Sequence, residues 1–235
     1  MIRSNEAPVP LIHHEDLISE NSLLKRENIF LTEKLTKERQ ENADLREKVK
    51  RLETLALKDP LTELYNRRGF LELLESRLPV PNDRRSEKMP KSIAILMLDI
   101  DYFKKINDQF EHAGGDEVLK TVALELKKMA RKRDIVSRWG GEEFAIAFIG
   151  ASAQDIINKF YRKETGNSGI SIPVTIEGSS VQITLSGGIS ELSGSTEETI
   201  EEVMKQADRA LYAAKEKGRS IILNGDAHLL VRSGK

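Results

Sequence analysis

Residues 14–58 constrain the fold most, because they contain no glycine and no proline and carry leucine every seven residues. The repeat comprises Leu17, Leu24, Leu31, Leu45 and Leu52, with Glu38 in the remaining place. The positions four residues further along hold Asn21, Asn28, Leu35, Asn42, Val49 and Ala56. Leucine at d with asparagine recurring at a is typical of a parallel two-stranded coiled coil. We therefore predict a long helix over residues 14–58 that pairs with a second copy of the chain.

The charges beside this seam also favour a parallel pair. Attraction between the two helices is expected for Glu20–Lys25, Glu41–Arg46 and Lys48–Glu53. Lys34 and Arg39 would repel each other, and they lie on either side of Glu38. A lone helix with a solvated charged face is the alternative, but six successive heptads favour the dimer. Asparagine at a lowers stability and fixes register, so the coil suits a defined alignment.

Pro60 ends this helix, and beyond it the apolar period changes. The expected elements are a helix over 70–78, a strand over 92–100, a helix over 117–129, hairpin strands over 135–139 and 144–148, a helix over 153–162, a strand over 181–186, a helix over 197–217 and a strand over 220–223. This order predicts an α/β (α+β) fold, a ferredoxin-like βαββαβ sheet with an added helix and strand. The expected segments are a flexible start at 1–13, the coil at 14–58, a globular domain at 59–224 with a polar loop at 79–91, and a loose tail at 225–235.

The composition excludes several classes of protein. A net charge of −1 provides no basic field for nucleic acid and no polybasic patch for a membrane. The absence of cysteine excludes disulfides and cysteine-ligated metal centres. The longest apolar run, residues 93–98, is too short to span a bilayer, and the N-terminus lacks the regions of a signal peptide. We expect a soluble, cytoplasmic protein.

Residues 140–144 read Gly-Gly-Glu-Glu-Phe between two apolar stretches. Two glycines between strands predict a hairpin turn with positive φ, a backbone conformation that glycine adopts without strain. Backbone without side chains at Gly140 and Gly141 would let a phosphate chain lie against the turn. Because side chains alternate along a strand, Glu142 and Glu143 should point to different sides and could serve different purposes.

A carboxylate also ends the buried strand over residues 92–100. Packing explains Asp99 poorly, whereas Asp101 is expected to form the turn that starts the next helix. In the predicted topology the first strand neighbours the hairpin, so Asp99 and the two glutamates would share one end of the sheet. Carboxylate oxygens, completed by water and phosphate, are the ligands that Mg²⁺ requires.

Polar side chains that could bind a nucleotide follow in two places. Lys104, Asn107, His112 and Asp116 come after the strand, and carboxylate and amide groups can pair with the edge of guanine. For Asp116 the alternative is an N-cap of the helix that starts at Glu117. Near the C-terminus stand Lys215 and Arg219. They either complement a helix dipole or hold a triphosphate.

Five motifs occur in order along residues 59–224: Asp-Pro-Leu-Thr-Glu-Leu-Tyr-Asn-Arg-Arg, Asp-Ile-Asp-Tyr-Phe-Lys-Lys-Ile-Asn-Asp, His-Ala-Gly-Gly-Asp, Arg-Trp-Gly-Gly-Glu-Glu-Phe and Ala-Leu-Tyr-Ala-Ala-Lys-Glu-Lys-Gly-Arg. With them the chain resembles a GGDEF domain, the catalytic module of diguanylate cyclases. The resemblance implies that two GTP, one per domain of a homodimer, are condensed to cyclic di-GMP with loss of two pyrophosphates. Glu63 and Glu111 depart from the family, which usually has glycine there, so a positive φ at either position would be costly.

The resemblance also assigns residues to the site. Asp99, the Ile100 carbonyl and Glu142 would bind Mg²⁺ or Mn²⁺, two ions per active site. Substrate-binding residues would be Phe103, Lys104, Asn107, His112, Asp116, Gly140, Gly141, Lys215 and Arg219. Asn107 and Asp116 would recognise guanine, and the three basic side chains would hold phosphates. Catalytic roles fall to Lys104, Glu142 and Glu143, and either glutamate could deprotonate the ribose 3′-OH.

An inhibitory product site is implied by Arg131-Lys-Arg-Asp134, with Arg162 as a further arginine. Basic residues closing a helix are the alternative explanation for this motif. A domain that senses GTP or cyclic di-GMP without turnover is the main alternative to a cyclase, and a structural adaptor is another. An enzyme that also accepts ATP is a third, although Asp116 favours guanine.

Overall fold

The structure is a computed structural model that describes residues 14–78, 92–193 and 199–225. The chain divides into two compact units, Met1–Glu53 and Thr54–Lys235. The segment expected at 1–13, the polar loop expected at 79–91 and nearly all of the expected tail lie outside the described residues. Within the described ranges, no helix is long and apolar enough to cross a membrane.

Helix α1, His14–Leu57, agrees with the helix expected over residues 14–58; it belongs to the first unit up to Glu53, and its last four residues belong to the second. It ends three residues before Pro60. The apolar seam is exposed along the chain, with exposed fractions between 46% and 65% at Leu24, Leu31, Leu35, Leu45, Val49 and Leu52. The side chains of Leu17 and Glu20 lie outside the described part. Pairing of this seam with a second copy stays a prediction.

The second unit contains the remaining elements. In chain order they are α2 Arg67–Glu75, β1 Ser92–Ile100, α3 Phe103–Met129, β2 Ile135–Arg138, β3 Glu143–Ile149, α4 Ala153–Lys159, β4 Tyr161–Arg162, β5 Asn167–Ser168, β6 Ile170–Ile176, β7 Ser179–Ser193, α5 Ile200–Glu216 and β8 Ile222–Asn224. Strand β1 has the predicted bounds. Helix α4 ends before the predicted Arg162, which instead lies in the short hairpin of β4 and β5.

The main sheet has the order β2-β3-β1-β7-β6, and β8 pairs in parallel with β7. Strands β1, β2, β3 and β7 pair antiparallel in the order of a ferredoxin-like sheet, so the predicted fold class is confirmed. Strand β6 was not predicted. Its alternating burial marks a half-buried strand, and Pro173 is tolerated because β6 lies at the sheet edge. Strand β7 is longer than predicted because its first half pairs with β6 and its second half with β1.

Both faces of the sheet are covered, which explains why β1 is apolar along its length. Its even-numbered residues from Ala94 to Ile100 join the core cluster that includes residues of α3 and α4. Ile93, Ile95 and Met97 join the cluster that includes residues of α2 and α5. Because side chains alternate, Asp99 continues the second set and faces α5. The strand therefore delivers a carboxylate to the edge of the α5 layer.

Candidate active site

The end of β1 and the glutamate turn lie side by side. Asp99 is the antiparallel partner of Glu143 in the register of β1 and β3. The Ile100 amide also donates a hydrogen bond of 3.3 Å to the Glu142 carbonyl. The structure thus brings Asp99 and the two glutamates to one end of the sheet, as the topology argument expected.

The predicted turn conformation is wrong, because neither Gly140 nor Gly141 has a positive φ. The turn is closed by the Glu143 carbonyl, which accepts hydrogen bonds from Trp139 N at 2.7 Å and Gly140 N at 3.2 Å. At Gly140 a Cβ would lie 2.5 Å from Oε2 of Glu143, so a side chain there would require the Glu143 carboxylate to move. Around Gly141 no atom would lie within 4 Å of a Cβ, so its backbone is open to a ligand.

The surroundings of Asp99 and Glu142 disfavour the ionised forms of both carboxyl groups. Asp99 is 5% exposed, and burial raises the pKa of its carboxyl, with a smaller rise from the Asp101 charge. The Lys215 ammonium opposes this rise, since its Nζ lies 2.7 Å from Oδ2 of Asp99. Burial also raises the pKa of Glu142, and the nearby Asp99 charge adds to the rise. A cation placed between the two carboxylates would relieve this repulsion.

The donor set at the sheet end fits a magnesium-type ion only in part. In the described ranges, no three histidine or carboxylate side chains cluster as a complete metal site. The protein offers two carboxylates, and Mg²⁺ commonly combines one or two carboxylates with waters and substrate phosphates. Glu143 differs from Glu142, because its carboxylate folds against Gly140 of its own turn. The two glutamates therefore have different surroundings, as alternation predicted.

Asp101 does not begin the next helix through its side chain, which corrects our expectation. Its buried carboxylate accepts hydrogen bonds from Thr184 Oγ1 at 2.7 Å, Ser186 Oγ at 2.6 Å and Ser220 N at 3.0 Å. The residue before α3 is Tyr102, which has φ 58° and provides no side-chain cap. Asp101 instead joins β1 to β7 and to the loop after α5.

Helix α3 carries the candidate nucleotide-binding residues on two helical segments, which Glu111 separates. It begins at Phe103, and Glu111 breaks it with φ 56° and ψ −174°, so the helix does not start at Glu117 and Asp116 is not its N-cap. A Cβ at Gly115 would clash with the Asn107 amide oxygen, so Asn107 lies against the part of α3 after Glu111, at the residue that precedes Asp116 in the chain. The side chains of Lys104, His112 and Asp116 are exposed, whereas Phe103 is buried.

Lys215 and Arg219 both lie close to the sheet end. Lys215 pairs with Asp99, as described above, and the Arg219 charge also acts on Asp99 by lowering its pKa. The guanidinium of Arg219 lies over the Tyr102 ring, 4.8 Å from its centroid. Tyr102 was not predicted as a site residue, although it lies inside the family motif that begins at Asp99. The two basic residues thus do more than close a helix.

A comparison with protein families matches residues 56–221 to the model described as diguanylate cyclase, GGDEF domain. This range includes every element from α2 to the end of α5. The chain belongs to the GGDEF family.

Relatives of this GGDEF chain are larger proteins. It is 38% identical over 164 residues to diguanylate cyclase DgcP of Pseudomonas aeruginosa, a match that covers 70% of this chain and 23% of DgcP. It is 36% identical over 172 residues to response regulator PleD of Caulobacter vibrioides, covering 72% and 36%. The chain therefore spans well under half the length of these relatives.

A solved structure is also similar to the chain. It is the coiled coil and GGDEF domain of DgcB from Caulobacter crescentus in complex with c-di-GMP. The TM-score is 0.66 at 28% sequence identity, and the match covers 83% of this chain and 98% of that one.

The residues of the implied inhibitory site lie in two places on the GGDEF domain. Arg131 is exposed, and its backbone N–H donates to Oδ2 of Asp134 at 2.7 Å. Oδ1 of Asp134 accepts from Ile149 N at 3.1 Å, so the carboxylate closes the turn before β2. Arg162 instead donates to the Ser220 carbonyl at 2.7 Å and to its hydroxyl at 3.1 Å.

Arg138 is a site residue that our sequence reasoning missed. Its Nη1 lies 3.2 and 3.1 Å from the two carboxylate oxygens of Asp59. Its Nε and Nη2 donate to the Gly141 carbonyl at 3.1 and 2.8 Å. One guanidinium thus holds the turn of the GGDEF motif against the segment that follows α1. Asp59 and Arg138 each begin one of the five family motifs, so the sequence marks both residues. It does not indicate that they contact each other.

Proposed function

We propose that this GGDEF chain is a diguanylate cyclase that condenses two GTP into cyclic di-GMP and releases two pyrophosphates. The observation that carries the proposal is the pairing of Asp99 with the Glu142–Glu143 turn beside Lys215. Two carboxylates can hold a divalent cation, and that cation, the lysine and the open turn backbone together suit a bound triphosphate. GTP as substrate agrees with a cytoplasmic location.

Mg²⁺ or Mn²⁺, two ions per site, would be held by Asp99, the Ile100 carbonyl and Glu142, and would neutralise charge on the triphosphate. Lys104, Lys215 and Arg219 would hold phosphate oxygens, while the open backbone at Gly141 receives the chain. In-line attack on an α-phosphate depends mainly on such positioning and charge neutralisation. Either Glu142 or Glu143 would accept the proton of the ribose 3′-OH.

Guanine would be recognised by Asn107 and Asp116, which the break at Glu111 brings to neighbouring helical segments of α3. The Asp116 carboxylate can accept from N1–H and the exocyclic amine of guanine, which adenine does not offer in the same arrangement. Phe103 and His112 would lie near the nucleotide. This arrangement favours GTP over ATP.

Each domain would hold one GTP, so the reaction needs two domains facing each other. The exposed apolar seam of α1 supports a parallel coiled-coil homodimer, which would raise the effective concentration of the second domain. The relative crystallised as a coiled coil with its GGDEF domain supports the same arrangement. Coil register would then control whether the half-sites meet.

Product inhibition would act through Arg131, Asp134 and Arg162. The exposed Arg131 side chain is available to a phosphate, and cyclic di-GMP appears in the complex of the similar DgcB structure. Arg131→Ala should relieve inhibition by added cyclic di-GMP without lowering the initial rate. Unchanged inhibition in this variant would remove the site from the proposal.

The decisive experiment is incubation with GTP and Mg²⁺, followed by identification of the product, for wild type and Glu142→Ala. We expect cyclic di-GMP from wild type and a rate lower by at least about a hundredfold in the variant. A well-folded wild-type dimer that binds GTP and forms no cyclic dinucleotide would instead support a sensor of GTP or cyclic di-GMP.

A further inference from the structure

The loop after α5 adopts an unusual backbone conformation next to the active site. Three consecutive residues have positive φ: Gly218 at 104°, Arg219 at 67° and Ser220 at 57°. Such angles are costly for residues other than glycine and persist only where the surroundings hold them. The loop therefore depends on contacts that fix Arg219 and Ser220.

Those contacts converge on Ser220. Its backbone N–H donates to Oδ2 of Asp101 at 3.0 Å and to Ser186 Oγ at 3.1 Å. Its carbonyl and hydroxyl both accept from Nη2 of Arg162. The Ser220 peptide is thus held on both sides, and the charged acceptor is the Asp101 carboxylate. Hydrogen bonds to charged groups are stronger than neutral ones.

Asp101 also fixes the surface against which Arg219 lies. Its backbone N–H donates to the Thr184 carbonyl at 2.9 Å, and the next residue is Tyr102, whose φ is 58°. The Arg219 guanidinium stacks on the Tyr102 ring. Asp101 is therefore linked to both partners of this stack. It precedes Tyr102 in the chain, and it hydrogen-bonds to Ser220, the residue after Arg219.

We propose that Asp101 is a positioning residue that holds Arg219 towards the triphosphate. The proposal rests on the function proposed for Arg219 as a phosphate ligand. Asp101 is itself 5% exposed and satisfied by three donors, so it need not touch substrate. The influence of the Arg219 charge on Asp99 agrees with a guanidinium directed at the sheet end.

The test is a double-mutant cycle on the full chain, with Asp101→Asn, Arg219→Ala and the double variant. An asparagine has one carboxamide oxygen and cannot accept from all three donors. We expect Asp101→Asn to weaken binding of a non-hydrolysable GTP analogue with Mg²⁺ by roughly tenfold. In the Arg219→Ala background the same change should weaken binding by less than about twofold, because coupled residues are not additive.

A merely structural role predicts a different result. If Asp101→Asn weakens binding by the same factor in both backgrounds, or does not weaken it, the proposal is overturned. With GTP, KM should rise while kcat changes little, because a ligand that binds ground state and transition state equally is lost. Ser190→Ala is the matched control. Ser190 lies in β7, as do Thr184 and Ser186, and the change removes its buried hydrogen bond to Gln206. This control should leave analogue binding unchanged.

Thr184→Val provides a milder second variant in case Asp101→Asn does not fold, because it removes one donor and keeps the carboxylate. Thr184→Val should weaken analogue binding less than Asp101→Asn does, and the effect should disappear in the Arg219→Ala background. A loss of binding that persists in that background would overturn the proposal. Binding and turnover are read separately. If the effects of Asp101→Asn and Arg219→Ala on binding are non-additive but wild type forms no cyclic di-GMP, only the proposed function is contradicted. If wild type forms cyclic di-GMP but the two effects are additive, only the positioning role is contradicted.

Discussion

Individual residues in this GGDEF domain lower stability where they support the proposed chemistry. The pKa values of Asp99 and Glu142 are raised, so ionising them costs folding free energy. This penalty is fully present above the raised pKa and disappears below the ordinary pKa of a carboxyl group. Active sites commonly accept such costs, and removing them stabilises the protein while impairing function.

Glu142→Gln removes one of the two unfavourable charges. Without Mg²⁺ or GTP we expect this variant to have a higher Tm than wild type at pH 7. The difference should shrink as the pH falls below the ordinary pKa of a glutamate side chain, because Glu142 is then protonated in both the folded and the unfolded wild-type chain. Thermal unfolding at several pH values measures this. Glu164→Gln, an exposed control, should change Tm little. A lower Tm for Glu142→Gln at pH 7 would contradict the prediction.

Backbone strain at two glutamates is a second local cost. Glu63 and Glu111 have φ of 58° and 56°, so the departure from glycine noted in the sequence falls on left-handed backbone. At Glu111 the ψ of −174° places the residue in a region that is essentially restricted to glycine.

Glu111→Gly should therefore stabilise the protein by about 1 kcal/mol, because glycine adopts this conformation without steric strain. Urea unfolding measures the change. Gln109→Gly is the matched control at an exposed helical position of α3, where glycine should cost about 1 kcal/mol instead. Destabilisation by both substitutions would mean that Glu111 is not strained.

Among the secondary-structure elements of the second unit, β2 ties Leu57, the last residue of α1, to the glutamate turn. Asn66 N donates to the Leu57 carbonyl at 2.9 Å, and Arg138 N donates to the Tyr65 carbonyl at 2.9 Å. Arg138 then reaches Asp59 and the Gly141 carbonyl with its side chain. This is a continuous set of contacts from the last helical residue of α1 to the glutamate turn.

Arg138→Lys should break this tie, because a single ammonium cannot replace a guanidinium that bonds two separate groups. We expect a loss of about 1.5–3 kcal/mol in the free energy of unfolding, measured by urea titration, and a lower rate of cyclic di-GMP formation. Arg68→Lys is a suitable control, since Arg68 forms an exposed ion pair with Glu72 at 2.7 Å that lysine can also make. Equal effects of the two variants would argue against the tie.

For the molecule as a whole, the proposed reaction requires two chains. Leu31→Asp places a charge in the seam of α1 and should weaken the dimer, as sedimentation would show. Activity per chain should then rise with protein concentration, whereas wild-type activity per chain stays constant. Leu23→Asp is the control, because Leu23 is 66% exposed and lies outside the seam. A monomeric Leu31→Asp protein whose activity per chain is independent of concentration would contradict the dimer mechanism.

Several parts of this protein could be predicted from neighbouring residues. The heptad repeat predicted the extent of α1, and seven apolar residues within residues 92–100 predicted the bounds of β1. The alternation of strands and helices gave the ferredoxin-like order, from which the approach of Asp99 to Glu142 and Glu143 followed. These predictions succeed because each depends on a period or a connection along a short stretch of chain.

Packing between distant segments had to be seen in the structure. It showed where Arg138 binds, and that Asp101 contacts both Ser186 and Ser220. The last two contacts join residues 85 and 119 positions apart, and a side chain that can cap a helix can equally accept bonds from another strand. Local sequence cannot distinguish these uses, because the free energy that decides between them comes from groups that meet only when the sheet is assembled.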